Sequence, residues 1–271
     1  MKRNIVIIFF VSSIALFIYT RYKENSNIIE ADNIDIVVSE LEKRNEKSLV
    51  VFDCDDVLIR FKDKILNYRN RFYLKTWIIM NYFLIDKKLK DDLYSIVCLS
   101  AEPEYVNSKM PKIVKSLQNR FVKTVVLTST NTGELGRIPD MVDWRIKTLK
   151  KMGYYFGKGW EDLESIKFTN LRKNNRIPEY KDGILFACSL KKSVVLNSFL
   201  ETTKFKPNKI IFIDDRKDHL IDVGILAKKL NIDYIGINYI ESEKSNSNSE
   251  FSIKKAFSQL NKLRKNHVWT K

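Results

Sequence analysis

Cysteine, proline and glycine are all scarce in this 271-residue chain, with three, five and eight copies. Cys54, Cys98 and Cys188 are odd in number and lack metal-ligand spacing, which excludes a disulfide framework and a zinc motif. So little glycine and proline disfavours an all-β protein built on tight turns and predicts abundant helices. After residue 19 no apolar run approaches the roughly 20 residues of a membrane-spanning helix, which excludes a multi-span membrane protein.

Negative charge is in deficit, since 48 Lys plus Arg against 33 Asp plus Glu gives a net charge of +15. Such an excess can neutralise the phosphates of nucleic acid or of an anionic membrane. The lysines are spread along the whole chain, however, which favours a solvated surface over a dedicated patch. We therefore expect no specific nucleic-acid partner, whereas a small phosphorylated substrate is compatible with this charge.

The N-terminus carries the signals of export. Basic residues 2 and 3 precede an apolar stretch over residues 5–19. This pattern is typical of a secretory signal peptide. No clean cleavage site follows, so a retained membrane anchor over residues 4–20 is the alternative. Residues 1–24 are predicted as a signal peptide or anchor, and the protein as periplasmic, secreted or anchored, although unpaired cysteines argue mildly against an oxidising destination.

Five short apolar runs alternate with helical patterns along the middle of the chain. This alternation is typical of crossover units in a parallel sheet that is covered on both faces. The fold class is therefore predicted as α/β, a doubly wound parallel sheet, with ligands bound at the carboxyl ends of its strands. The predicted strands are 49–52, 124–127, 183–187, 210–213 and 234–237, and the predicted helices are 34–44, 140–152, 192–201, 220–230 and 251–264.

The spacing of these elements predicts the domain organisation. Residues 25–48 are expected to form a linker and a leading helix, and residues 49–240 the core. The stretch 60–120 is too long for a simple crossover and is predicted as a mainly helical insert. Residues 241–271 are expected to form a polar linker, mobile over its first ten residues, and a C-terminal helix.

Two pairs of acids end predicted strands. Asp53 and Asp55 follow the first apolar run, and Asp214 and Asp215 end the fourth. Neighbouring carboxylates repel one another unless a cation or a shared proton relieves them. For the first pair alone, an acidic turn is an equal alternative. Two such ends in one sheet favour a shared site for a hard divalent cation such as Mg²⁺.

Hydroxyl and lysine side chains follow two other predicted strands. Thr128 and Ser129 come at the end of the second strand, where hydroxyls and free amides can hold phosphoryl oxygens. Helix capping is the simpler interpretation of these two residues alone. Lys191 and Lys192 lie before the fourth strand and could neutralise a transferred phosphoryl group, although a solvated surface role is the default for either lysine in so basic a chain.

The order Asp-x-Asp, Thr, Lys, Asp-Asp resembles the four motifs of the haloacid dehalogenase-like (HAD) superfamily. The resemblance covers roughly residues 45–240 and implies a Rossmann-like core. The chain is similar in particular to an uncharacterised branch of secreted or exported bacterial proteins in that superfamily. The segments that carry this closer likeness are Leu49 to Leu58, Ile113 to Leu127, Trp144 to Gly153, Asp182 to Leu196 and Lys206 to Asp215.

The resemblance implies a role for each motif residue. Asp53 would be the nucleophile that attacks phosphorus and forms an aspartyl-phosphate. Asp55 would be the general acid for the leaving oxygen and then the base that activates water. Thr128, with Ser129, would bind the phosphoryl oxygens. Lys192 would offset the negative charge, with Lys191 as the reserve candidate.

The same resemblance implies a magnesium site. Asp214 and Asp215 would hold Mg²⁺ together with the Asp53 carboxylate and the Asp55 carbonyl. Asp218 would lend a further carboxylate behind these ligands.

Two positions depart from the superfamily pattern. Asp56 and Val57 stand where many of its phosphatases have Gly-Thr, and Thr130 stands where close relatives often carry arginine. The expected function is a Mg²⁺-dependent phosphatase of small phosphate esters, with the insert as a lid. The alternative is a binding or effector protein that keeps the HAD-like fold without turnover.

Overall fold

An eight-stranded sheet forms the centre of the protein in a computed structural model that describes residues 27–67, 70–81, 84–172, 175–245 and 251–270. The strand order across the sheet is β1-β10-β9-β2-β5-β8-β7-β6. The first six strands of this order are parallel to one another. This order confirms the predicted doubly wound α/β fold. The strands of this sheet are β1 Ile28–Ala31, β2 Ser48–Phe52, β5 Lys123–Thr128, β6 Ile166–Lys167, β7 Glu179–Lys181, β8 Ile184–Phe186, β9 Lys209–Asp214 and β10 Asp233–Tyr239.

Helices cover both faces of the sheet, so the central strands are buried on both sides. Every residue of β2 is buried, as its continuous apolar sequence predicts. On one face the core includes Val37, Val114 and Ile146, and on the other Phe199 and Val223. The helices that carry these residues are α1 Ile34–Leu41, α4 Met110–Asn119, α5 Met141–Lys151, α6 Lys192–Thr203 and α7 Lys217–Lys229.

Both edges of the sheet contain strands that the apolar runs did not predict. Strand β1 lies in the segment predicted as a linker and pairs in parallel with β10. At the other edge, β7 and β6 are antiparallel. Asp182 and Gly183 join β7 to β8 with φ angles of 52° and 78°. Asp-Gly suits such a two-residue hairpin because both positions require positive φ.

A second, smaller helical unit lies between β2 and β5. The antiparallel pair β3 Ile59–Phe61 and β4 Pro103–Tyr105 leads into and out of it. Between them lie a short 3₁₀ turn, Lys64–Leu66, and helices α2 Arg71–Met80 and α3 Lys87–Ser100. Helix α4, which the predicted insert 60–120 also contains, packs on the sheet instead.

The C-terminal helix belongs to this helical unit. Helix α9, Ile253–Asn266, places Leu260 and Leu263 in one apolar cluster with Trp77 and Ile96. We call residues 59–105 and 251–270 together the cap. Helix α8, Glu241–Ser245, occupies the start of the segment predicted as a polar linker.

The predicted signal peptide or anchor, residues 1–24, lies outside the described residues. Within the described ranges, no helix combines the length and apolar character that crossing a bilayer requires.

Candidate functional site

The carboxyl ends of β2 and β9 lie side by side at the point where the chain reverses direction across the sheet. From β2 the chain passes to β5 and β8 on one side, and then returns to β9 and β10 on the other. Asp53 directly follows β2, and its backbone N–H donates to the Ile213 carbonyl of β9 at 2.8 Å. Asp214 ends β9. Such a reversal is where open α/β sheets bind ligands.

Lys192 joins the two strand ends. Its Nζ lies 2.7 Å from a carboxylate oxygen of Asp53 and 2.7 Å from one of Asp214. The Lys192 side chain is 1% exposed, and α6, which begins at this residue, positions it. Lys191 is 78% exposed and lies 4.0 Å from Asp222. Lys192, and not its neighbour, therefore contacts the two acids.

Negative charge exceeds positive charge around Lys192. Burial raises the pKa of Asp53 to about 6, with Lys192 opposing and Asp214 adding to the rise. Burial also raises the pKa of Asp215 to about 9, and Asp53, Asp214 and Asp56 contribute. With no further cation beside them, these clustered carboxylates therefore resist full ionisation.

His219 is a member of the cluster that the sequence did not predict. Its Nδ1 lies 3.1 and 3.2 Å from the two carboxylate oxygens of Asp214. Although burial acts to raise the pKa of Asp214, Lys192 and His219 outweigh it and hold that pKa at about 2. A signal for His219 existed, because the chain has two histidines and this one stands five residues after Asp214.

These residues fit a hard divalent cation. One ligand atom each from Asp53, Asp214 and His219 lies within 4.8 Å of the others. Burial and the neighbouring carboxylates raise the pKa values of Asp53 and Asp215 even though Lys192 contacts Asp53, so the cluster holds more negative than positive charge. Oxygen donors in excess of positive charge suit Mg²⁺, which is held in proteins by one or two carboxylates plus water and phosphate.

A second ion pair, between Arg145 and Asp55, lies beside the cluster around Lys192. Arg145 of α5 approaches both carboxylate oxygens of Asp55 at 3.1 Å. Its Nη2 also donates to Thr130 Oγ1 at 3.4 Å, which in turn lies 2.9 Å from Thr128 Oγ1. The position lacking the expected arginine, Thr130, is thus contacted by an arginine from another element. Arg145 went unpredicted because nothing in the helical pattern distinguishes it.

The other unusual position, Asp56, has a structural explanation. Its φ angle is 64°, in the left-handed region that favours glycine and that aspartate tolerates. Its buried carboxylate accepts a hydrogen bond from Ser242 Oγ of α8 at 3.1 Å. The aspartate therefore keeps the backbone turn that glycine would allow, and its side chain fixes α8 to the loop.

Two further predicted site residues, Ser129 and Asp218, lie at the edge of the site. Ser129 is exposed, and its carbonyl accepts from the Ser189 N–H at 3.2 Å. Asp218 pairs with Arg216 at 2.5 Å, and its side chain is 65% exposed. A cavity of about 780 Å³ opens beside them, and Lys192 and His219 are among the residues that line it.

The fold and site define an α/β protein with an acidic, lysine-containing site at the reversal of a doubly wound sheet. Residues 30–269 match the family described as "Protein of unknown function (DUF2608)", and the chain belongs to that family.

Relatives of this chain occur in Rickettsia and Chlamydia. An "Uncharacterized protein" of Rickettsia prowazekii is 21% identical over 80% of this chain and 79% of that protein. A "Putative outer membrane protein" of Chlamydia trachomatis is 22% identical over 81% of this chain and 79% of that protein. Among solved structures, a HAD family enzyme from Bacteroides thetaiotaomicron matches 71% of this chain and 94% of its own, at 12% identity and a TM-score of 0.37.

Proposed function

We propose that the protein is a Mg²⁺-dependent phosphatase of small phosphate esters that acts through an aspartyl-phosphate. The observation that carries this proposal is the contact of Lys192 Nζ with both Asp53 and Asp214 at 2.7 Å. A carboxylate held beside a buried ammonium can receive a phosphoryl group without accumulating uncompensated charge. The order of the four motifs along the chain supports the same reaction class.

In the first step, Asp53 attacks phosphorus. A carboxylate oxygen of Asp53 forms a bond to phosphorus, and the bond from phosphorus to the ester oxygen breaks. Asp55, two residues along the loop, gives its proton to the leaving oxygen. Thr128 Oγ1, at the end of β5, donates to a phosphoryl oxygen, while Lys192 stays beside the carboxylate that is being modified.

In the second step, water removes the phosphoryl group from Asp53. Asp55 takes a proton from water, whose oxygen bonds to phosphorus as the bond to Asp53 breaks. The products are inorganic phosphate and the free Asp53 carboxylate, so both aspartates return to their starting states. Splitting the displacement in this way replaces one difficult step by two easier ones.

Asp53, Asp214, Asp215 and the Asp55 carbonyl would hold Mg²⁺, with His219 supporting Asp214. When bound, the cation neutralises charge on the phosphoryl oxygens and on the clustered carboxylates. Lys192 alone cannot do so, because Asp53, Asp214 and Asp215 outnumber it.

Export is part of the proposal. The basic start and apolar stretch of residues 1–24 support it, as do relatives described as "Putative outer membrane protein". Fractionation of cells expressing the full chain with a C-terminal tag tests this directly. Export predicts recovery outside the cytoplasm, and recovery in the cytoplasmic fraction alone contradicts it.

The activity is tested with the full chain and a panel of small phosphate monoesters, with Mg²⁺ and with a chelator. We expect phosphate release that requires Mg²⁺. Release of equal size in chelator would contradict the proposed cation requirement.

A non-catalytic binding role is the second candidate, and the Arg145 contact with both oxygens of Asp55 favours it. With both oxygens engaged by Arg145, this carboxylate is held in an ion pair within the protein and is not presented to a substrate. Mg²⁺ binding without phosphate release on any ester of the panel would support this role.

A further inference from the structure

Arg145 is a buried cation that lies next to the proposed reaction centre and that the motif residues leave unexplained. The residue is 3% exposed, and its guanidinium lies over the Trp144 ring at 4.8 Å from the ring centroid. Burial acts to lower the pKa of Arg145, but Asp55 and neighbouring groups outweigh it and hold that pKa above its ordinary value. The side chain is therefore a permanent positive charge within the protein.

The hydrogen bonding of this guanidinium is incomplete. Nη2 donates to Asp55 Oδ2 at 3.1 Å, whereas Nη1 lies 3.1 Å from Oδ1 but off the hydrogen-bond direction. Nε and Nη1 have no hydrogen-bond partner among the residues that the structure describes. A buried charged donor left unsatisfied costs free energy, because its desolvation is not repaid by a hydrogen bond. A residue that served packing alone would avoid this cost, because an apolar side chain of similar size would fill the space.

The groups that influence Arg145 come from three separate parts of the molecule. Cys54 belongs to the loop after β2, and Trp144 belongs to α5 of the core. Cys98 belongs to α3 of the cap and packs in one cluster with Trp144. Burial raises the pKa of Cys98 to about 11, and the positive charge of Arg145 opposes that rise.

We propose that Arg145 is the positioning residue for Asp55. It fixes the Asp55 carboxylate through Nη1 and Nη2, and through Thr130 it links that carboxylate to Thr128. The Asp55 carboxylate, as acid and base of the reaction, and the Thr128 hydroxyl, which would bind the phosphoryl group, are thereby held at a fixed relative position. This inference rests on the proposed function for the role of Asp55, but the contacts themselves do not.

The fall in kcat caused by removing Arg145 should depend on the leaving group of the substrate. An alkyl phosphate needs a proton on its leaving oxygen, whereas a nitrophenyl phosphate releases a stable anion without one. In R145Q, kcat on an alkyl phosphate should therefore fall at least about tenfold more than kcat on nitrophenyl phosphate, within the about 10²–10⁴-fold range of general acid–base catalysis. KM for both substrates should stay nearly unchanged, because Arg145 acts through Asp55.

Two further variants give the comparison its controls. R145K keeps the charge but presents a point donor in place of a planar fork, so it should recover part of the lost kcat on the alkyl phosphate. R137Q removes an arginine that is 49% exposed and pairs with Asp92, and it should leave the ratio of the two kcat values unchanged. An equal fall on both substrates in R145Q, or a rise in KM alone, would contradict the positioning role.

A crystal structure of R145Q tests the same inference without turnover. We expect the Asp55 carboxylate to leave its place beside Thr130 while Lys192 keeps its contacts with Asp53 and Asp214. An unmoved Asp55 in R145Q would overturn the inference, whatever the enzyme does. An absence of phosphate release in the unmodified protein would instead refute the proposed function, and the position of Asp55 would still decide the role of Arg145. If R145Q does not fold, the structure of R145K decides, since its Asp55 should lose at least one of the two contacts.

Discussion

Two cation–carboxylate clusters lie side by side at the carboxyl end of the sheet, and their charge balance differs. In the lysine cluster, buried Lys192 contacts Asp53 and Asp214, and Asp215 adds a further carboxylate that interacts with both acids, so negative charge exceeds positive. In the arginine cluster, Arg145 pairs with Asp55, one cation with one carboxylate. The excess in one cluster calls for a further cation, whereas the balance in the other suits a fixed orientation. The comparison separates a cluster with excess negative charge from one in which a cation and a carboxylate are paired.

The largest expected effect is on turnover, in the lysine cluster. Asp53→Asn keeps the shape of the side chain but replaces the proposed nucleophilic carboxylate by a weakly nucleophilic amide, so phosphate release should fall by about 10³-fold or more. Asp233→Asn is the matched control, because Asp233 is 76% exposed and begins β10 at the opposite end of the sheet. Activity assays on both variants check this, and turnover retained in Asp53→Asn would remove Asp53 as the nucleophile.

The next effect is on stability, and it compares two adjacent lysines. Lys192→Gln removes a buried cation between two carboxylates and should lower the free energy of unfolding by about 3 kcal/mol in the absence of Mg²⁺. Lys191→Gln should change it by less than about 0.5 kcal/mol, because that side chain is exposed. Urea unfolding of both variants measures the difference. Equal losses would mean that the buried charge contacts do not stabilise the fold.

The third prediction uses pH to expose the excess charge of the lysine cluster. Because the pKa values of Asp53 and Asp215 are raised to about 6 and about 9, the stability tied to their protonated forms is lost as pH rises through those values. Bound Mg²⁺ should restore it, by about 2.7 kcal/mol at a hundredfold excess over Kd. The increase in Tm with Mg²⁺ should thus be larger near about pH 8 than near about pH 5, where protons compete for the same carboxylates.

Asp215→Asn supplies the control for this pH experiment. It removes one of the crowded carboxylates, so at about pH 8 it should raise Tm without Mg²⁺ and reduce the Mg²⁺-dependent increase. A Mg²⁺ effect on Tm that is the same at both pH values, in both proteins, would show that these carboxylates do not hold the cation.

The smallest effect concerns the loop that joins the two clusters. Ser242→Ala removes the hydroxyl that donates to the buried Asp56 carboxylate, and should lower the free energy of unfolding by about 1 kcal/mol. It changes the charge of neither cluster, so the Mg²⁺ requirement should persist. Denaturant unfolding and the phosphate assay together check both statements, and a lost Mg²⁺ requirement would place α8 within the cation site.

The sequence predicted the lysine cluster better than the arginine cluster for a physical reason. Asp53 and Asp214 end continuous apolar runs, and the carboxyl ends of neighbouring parallel strands must meet at one edge of the sheet. Arg145 lies inside an amphipathic helix, where its burial depends on how α5 rotates against the sheet and the cap. Helical spacing does not determine that rotation for a long side chain that can extend to solvent.

The same distinction applies to the fold. The five central strands were predicted because burial on both faces requires an apolar sequence. Strand β1 was missed because an edge strand has one neighbour, and the free edge of β10 determines that pairing more than the local sequence does. The Asp182-Gly183 dipeptide is itself a sequence signal for a hairpin, but the apolar run that follows it is the stronger pattern and predicts only β8.

The most direct test of the proposed chemistry traps the intermediate on Asp53. The full chain is mixed with Mg²⁺ and a ³²P-labelled phosphate ester, quenched in acid and digested. An aspartyl-phosphate mechanism predicts acid-stable, hydroxylamine-sensitive label on the peptide that contains Asp53, and none in Asp53→Asn. Hydrolysis of the ester with the label on another residue, or with no labelled protein in either form, would contradict it.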